Sequence, residues 1–279
     1  MRARAVGPSA GLLAIGLAAA CATARTPLQI RLPQTAVRPV AHVAAVMSDE
    51  VALATMASVA EGHLGLPVLP VTFHFYPRVE AFAAVLVQNG HDPSFAREAA
   101  GRLRAIAGHG HVLLNESRLS PDWADRLFTY THEFTHCLQY ALARGRRSTS
   151  DQWLREGFAD AVAVRVLDRL GAMSLDAYRR QRRELLRRTD RSRAPHLDRL
   201  TTFVEWLGVT ARADLAPDAQ AFLAVEALIE RHGFLRLLDY FAAFGESEDR
   251  IANFRAAFGR DVGAFEAELD ASLGIVRGS

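Results

Sequence analysis

Two histidines set four residues apart, His132 and His136 in the stretch THEFTHCLQY, restrict this 279-residue chain more than any other feature. They can act together on a helix, where positions i and i+4 share a face and two imidazoles can converge on one ion. Glu133 lies about 100° further round the same helix, by the 3.6-residue period, and can point into a cleft beside that ion. The preceding residues support the helix. Ser120-Pro121-Asp122 supplies a cap, a proline for the first turn and an acid at the positive dipole end, so a helix is predicted from there through about Ala143. His-Glu-x-x-His is a zinc signature in which the glutamate handles a water proton.

A catalytic zinc takes three protein ligands and keeps a fourth position for water, so a third donor is needed from elsewhere. Glu156 follows His136 by twenty positions, within WLREGFAD, and a second helix is predicted from about Ser150 to Gly171. A helix–loop–helix of this length can fold Glu156 back to the metal. Asp160 is four residues further on and shares its face, so it can take the ring N–H of one histidine and fix its tautomer. Gly157 and Ala159 are small enough to let the two helices pack closely.

HEFTH together with WLREGFAD resembles the gluzincin zinc metallopeptidases, whose third ligand is a glutamate on the following helix. The spacing to Glu156 and then Asp160 is similar to that of the thermolysin group, and WLREGFA is similar to the corresponding helix of zinc aminopeptidases. The strand and helix suggested by VTFHFYPRVEAF, and a late helix ending in RHG, resemble small bacterial peptidase MA-like domains over roughly residues 68–272. The resemblance implies one Zn2+ per chain held by His132, His136 and Glu156. It implies Glu133 as general base and later proton donor, Asp160 hydrogen-bonded behind a ligand, and a peptide or protein substrate.

Such enzymes also need a hydrogen-bond donor for the oxyanion. Where many MA-like domains have tyrosine at the start of the late helix, this chain has Asp218 in PDAQAF. Tyr178, His196, Tyr240 and His232 are the candidates by residue type, and His196, in a loop after Pro195, is the one expected to serve. The strand Val112–Asn115 is expected to bind extended peptide by β-addition. His109 and His111 are expected at a solvent-near edge, and Cys137, turned about 100° from His136, as a core thiol.

The N-terminus reads as an export signal: Arg2 and Arg4, an apolar run from Ala10 to Ala20, then Cys21. That run is too short to span a bilayer, which takes about 20 residues. LAAAC resembles the lipobox of bacterial lipoproteins, with Cys21 as the lipidated residue, although Ala18 stands where leucine is usual. Ordinary cleavage after Ala22-Thr23-Ala24 is the competing reading. All 33 basic residues are arginine, and losing Arg2 and Arg4 leaves 31 basic against 31 acidic residues. A near-neutral mature chain argues against nucleic acid as a partner. With Cys21 modified or removed, Cys137 has no intrachain partner and no disulfide framework is expected.

The expected organisation is a signal over 1–20 (to about 24 for ordinary cleavage), a proline-bearing tether over 21–46, and one metallopeptidase domain over 47–279. Helices are predicted near 48–62, 78–90 and 92–106, with strands at 69–77 and 108–116. A mostly helical C-terminal half follows, including the arginine-rich segment SLDAYRRQRRELLRRT, expected to present a solvated face with some acidic partners. The fold class is α+β and zincin-like: a small N-terminal sheet, an active-site helix pair and a helical remainder. The functional expectation is an exported, lipid-anchored or periplasmic zinc peptidase. The alternative is an envelope lipoprotein that holds metal without turnover.

Overall fold

The computed structural model describes residues 27–146, 149–190, 193–210, 212 and 215–275. The expected signal over 1–20, Cys21 and the cut after Ala24 lie outside the described residues. The fold is α+β. Its strands are β1 (Leu28–Arg31), β2 (Thr72–Tyr76), β3 (Ala105–Ala107) and β4 (His111–Asn115). The helices are α1 (Asp49–Gly62), α2 (Val79–Gln88), α3 (Pro93–Arg102), α4 (Trp123–Leu142), α5 (Gln152–Arg169) and α6 (Leu175–Arg188), then α7 (Phe203–Thr210), α8 (Pro217–His232), α9 (Arg236–Ala243), α10 (Arg250–Phe258) and α11 (Val262–Leu273). No helix among the described residues is long and apolar enough to cross a membrane.

The sheet runs β1-β2-β4-β3, with β2 and β4 parallel and both outer pairs antiparallel. Strand alternation sends successive side chains to opposite faces. Phe73 and Phe75 of β2 therefore meet Tyr130 of α4 on one side, edge to face at 6.1 and 5.9 Å. Leu113 of β4 packs on the other side with Phe82, Leu86 and Ala96 of α2 and α3. The sheet is thus a partition, with the α2–α3 pair behind it and α4 in front.

Three expectations change here. The tether was read over 21–46, yet Leu28–Arg31 forms β1 and pairs Ile30 with Phe73, Leu32 is fully buried, and Val40 N–H donates to Thr55 Oγ1 at 3.0 Å. Prolines at 27, 33 and 39 suit an edge strand and its flanks as well as a linker. The helix expected to reach Ile106 stops at Arg102, because Leu103 turns to extended backbone and 105–107 joins β4 as β3. Consequently β4 is an inner strand with both edges paired, so the β-addition expected of Val112–Asn115 has no edge to use. The outer strand beside β4 is β3, and its far edge pairs with no strand among the described residues. Antiparallel alternation turns the N–H and C=O groups of Ala105 and Ala107 outward to it, since Arg104 and Gly108 bond back to β4.

α5 is the central helix. Nearly every position is buried, from Trp153 to Leu167, because α4 packs on one side and α8 on another. Gly157 sets the second crossing: a Cβ there would lie 2.3 Å from the carbonyl oxygen of Ala221. Trp153 stacks on Phe265 and donates its indole N–H to Glu266 Oε1 at 3.1 Å, fixing α11 to the base of α5. The arginine-rich helix α6 has the expected acidic partners. Arg179 bonds Glu226 of α8, which is buried and also takes Arg165, while Arg187 and Arg188 share Glu184.

Two outcomes follow. Gly157→Ala should destabilise the fold by at least about 2 kcal/mol in urea denaturation, although alanine is the better helix former, because the obstructing atom is backbone. Burial, with Asp151 nearby, pushes the Glu266 carboxyl up to about 7 against the opposing Arg250 and Trp153. The native state therefore holds that proton more tightly than the unfolded chain, and this contribution to stability is lost as pH rises through about 7. Glu266→Gln should remove this loss, raising stability at pH 8 relative to pH 5 by about 2 kcal/mol compared with the parent chain.

Candidate metal centre

α4 begins as its sequence predicts, with Asp122 accepting from the N–H of Asp125 at 3.0 Å. Its middle turn carries His132, Glu133 and His136. α5 runs back along it in the opposite direction, since His136 meets Glu156 and His132 meets Asp160. The two Nε2 atoms are 3.0 Å apart, His132 Nε2 is 3.3 Å from Glu156 Oε2, and His136 Nε2 is 3.5 Å from Glu156 Oε1. A tetrahedral ion with ligand bonds of about 2.05 Å sets its donors about 3.3 Å apart. The donor spacing fits such an ion. Among the described residues this trio is the group spaced to hold a metal.

The hydrogen bonds behind the ligands fix their protonation. His132 Nδ1 is 2.9 Å from Asp160 Oδ1, an acceptor, so the proton sits on Nδ1 and the Nε2 lone pair faces the cluster. His136 Nδ1 is 2.9 Å from Gln139 Oε1. That amide has only one orientation, because Gln139 Nε2 donates to the carbonyl oxygen of Arg155 at 2.9 Å. His136 is therefore also an Nδ1–H tautomer. Two nitrogen lone pairs 3.0 Å apart repel unless a proton or a cation lies between them.

The electrostatics agree. Burial pulls His132 down, but Asp160 and Glu156 outweigh it and hold the imidazole well above its usual range. Burial pushes Glu156 up, but His136 and His132 outweigh it and hold the carboxyl well below its usual range. The cluster favours positive charge at its centre.

Glu133 is half-buried on the same helix and makes no hydrogen bond or ion pair among the described residues. The Phe128 ring stacks beside His132 at 6.2 Å and reaches Tyr178 at the same distance. Tyr178 donates its hydroxyl to Asp160 Oδ2 at 3.4 Å and accepts from Arg182, whose guanidinium lies 4.2 Å from the centre of the tyrosine ring. Arg182 keeps a buried Nε–H with no partner. Asp218 opens α8, one turn before the contact of Ala221 with Gly157. Its carboxylate reaches solvent, yet the protein crowding it, with Asp160 and Glu156, pushes its carboxyl up to about 6 against the opposing Arg182 and His132.

Of the residues expected at the site, His132, His136, Glu156 and Asp160 come together, with Glu133 beside them. His196 lies in the loop before α7, and its Nδ1 bonds Asp270 Oδ2 of α11 at 2.9 Å, a bond that orients the imidazole and leaves Nε2 as its other ring nitrogen. Among the four donor types considered, Tyr178 is the one in contact with the cluster, and it stands behind His132 by way of Asp160. His109 is exposed, His111 is half-buried at the start of β4, 6.5 Å from His74 between ring centres, and Cys137 is buried with Sγ near the carbonyls of Gly108 and His111. Gln139, Gln152 and Arg155 were missed. Gln139 lies three residues after His136 and Gln152 four before Glu156, so helical spacing alone marks both as neighbours of ligands.

Comparison with protein-family models, with curated proteins and with solved structures finds no match to this chain. The reading of the centre therefore rests on its own geometry. Gln139→Leu leaves His136 Nδ1–H without an acceptor, and should weaken zinc binding by about 10–100-fold in competition titration against a chelating dye.

Proposed function

We propose that the chain is a zinc-dependent metallopeptidase of gluzincin type on a zincin-like, peptidase MA-like domain. The observation that carries this reading is the convergence of His132 Nε2, His136 Nε2 and the Glu156 carboxylate at nearest separations of 3.0, 3.3 and 3.5 Å, beside a Glu133 side chain with no partner among the described residues. His132, His136 and Glu156 would hold the ion. Zinc bound there supplies a Lewis acid that polarises a carbonyl and lowers the pKa of a water to around 7.

The remaining chemistry belongs to the chain. Glu133 makes no competing hydrogen bond, so its carboxylate is available to take a proton from the attacking water and return it to the leaving amine. Asp160 and Gln139 keep both imidazoles as Nε2 donors throughout. The open edge of β3 offers main-chain N–H and C=O groups at Ala105 and Ala107 for an extended peptide, a role better suited to it than to β4. The sequence signals extend the proposal to export, with an anchor through Cys21 or release after Ala24, and to a peptide or protein substrate and no nucleic acid.

One observation favours the alternative of a metal-holding envelope protein without turnover: Tyr178, the candidate donor in contact with the cluster, gives its hydroxyl to Asp160. Glu133→Gln separates the two readings. The peptidase reading expects hydrolysis of a casein or mixed-peptide substrate to fall by at least about 100-fold while zinc stays near one equivalent. Undiminished hydrolysis, or a cellular phenotype that survives the substitution, would favour the non-catalytic reading.

A further inference from the structure

We propose that Arg155 is the positioning residue of the metal centre, acting through Gln152 to fix how the Glu156 carboxylate is turned toward the ion. This rests on the metal-centre reading and deepens it.

Arg155 precedes a ligand in sequence and is 2 % exposed. Placing a guanidinium in the core is costly unless its donors are used. Its Nη1 donates to the carbonyl and hydroxyl oxygens of Ser150, just before α5. Its Nε donates to Gln152 Oε1 at 2.9 Å, and its Nη2 donates to the same oxygen. A guanidinium has donors only, so the atom of Gln152 that faces it must be the carbonyl oxygen. The amide nitrogen of Gln152 is thereby turned to Glu156 and donates to Oε1 at 2.5 Å. Held there, Oε1 lies 3.5 Å from His136 Nε2 and Oε2 lies 3.3 Å from His132 Nε2, so this bond fixes how the carboxylate is turned between the two imidazoles.

The main chain of the same residue works on the other side. The carbonyl of Arg155 accepts from Gln139, which orients that amide toward His136. One residue therefore sets two amide orientations, one behind a histidine ligand and one behind the carboxylate ligand. Without the guanidinium, Gln152 can rotate and turn its oxygen to the Glu156 carboxylate, where acceptor faces acceptor. Glu156 then loses the hydrogen bond that holds it in one rotamer.

The sign of the effect separates positioning from charge. Removing a buried cation near a metal site tightens metal binding by Coulomb's law alone. Positioning predicts the opposite. Zinc affinity would be measured by competition with a fluorescent chelator for the parent chain, Arg155→Met, Gln152→Met and the double variant, with metal-free melting temperatures recorded alongside. The expected result is at least roughly tenfold weaker binding for each single variant. The double variant should bind within about twofold of the weaker single, because both changes break the same link. Unchanged or tighter binding by Arg155→Met, or losses that multiply in the double variant, would overturn the proposal. If Arg155→Met does not fold, Gln152→Met decides, and binding equal to the parent overturns the proposal. Failure of the parent chain itself to take up zinc would instead overturn the metal-centre reading, and this proposal with it.

Discussion

The close crossing of α5 and α8 at Gly157 is the contact on which the rest of the centre depends. Ala221 carbonyl oxygen sits where a side chain would begin. This crossing lets a helix that is buried almost all round lie between two others, and a helix buried all round is ordinarily apolar throughout. α5 is apolar along Trp153, Leu154, Phe158, Ala161 to Val164, Val166 and Leu167, but it also brings Gln152, Arg155, Glu156 and Asp160 into the interior. Glu156 and Asp160 reach the histidines of α4, and Gln152 and Arg155 stand behind Glu156, so the crossing that excludes water also concentrates charge.

Concentrated charge in a core persists only when each group is answered. Here the answers are layered. Glu156 is met by two imidazoles and by Gln152, and Gln152 by Arg155. His132 is backed by Asp160, Asp160 by Tyr178, and Tyr178 by Arg182. Asp151, fully buried at the start of α5, takes Arg250 of α10 at 2.6 Å. The proposed metal donors are therefore continuous, through hydrogen bonds and ion pairs, with packing at the far end of the helical half. This accounts for the size of that half: α6 supplies the layer behind Asp160, while α10 and α11 secure the start of α5 through Arg250 and Glu266.

Much of the centre was legible in the sequence because its determinants are local. His132 and His136 need only helical periodicity, and Glu156 and Asp160 need only a second helix folding back after a short loop. The same periodicity marks Gln139 and Gln152 once a ligand has been chosen, but nothing local says that their amides are oriented by the two ends of Arg155. The strand β1 was hidden because four residues between prolines look like linker until Phe73 and Phe75 are seen to need cover. The strand β3 was hidden because three residues carry no usable period, and missing it made β4 seem an edge. The partner of His196 was hidden for a related reason. A loop histidine has no positional constraint in sequence, and its partner Asp270 lies 74 residues away.

The two sides of the centre differ in how far their polar groups are satisfied. On the side that would grip an ion, the two ring Nδ1 atoms and the supporting amides have hydrogen-bond partners. By contrast, among the described residues the Glu133 side chain has none, and the outer edge of β3 pairs with no strand. Buried or half-buried polar groups without partners are uncommon in folded proteins and gather where an external partner completes them. A centre built only to hold metal for stability would have no use for that asymmetry. An unbonded acid beside a saturated site, with an unpaired strand edge in the sheet, is what the proposed reading requires of something that arrives, is held and is acted on there.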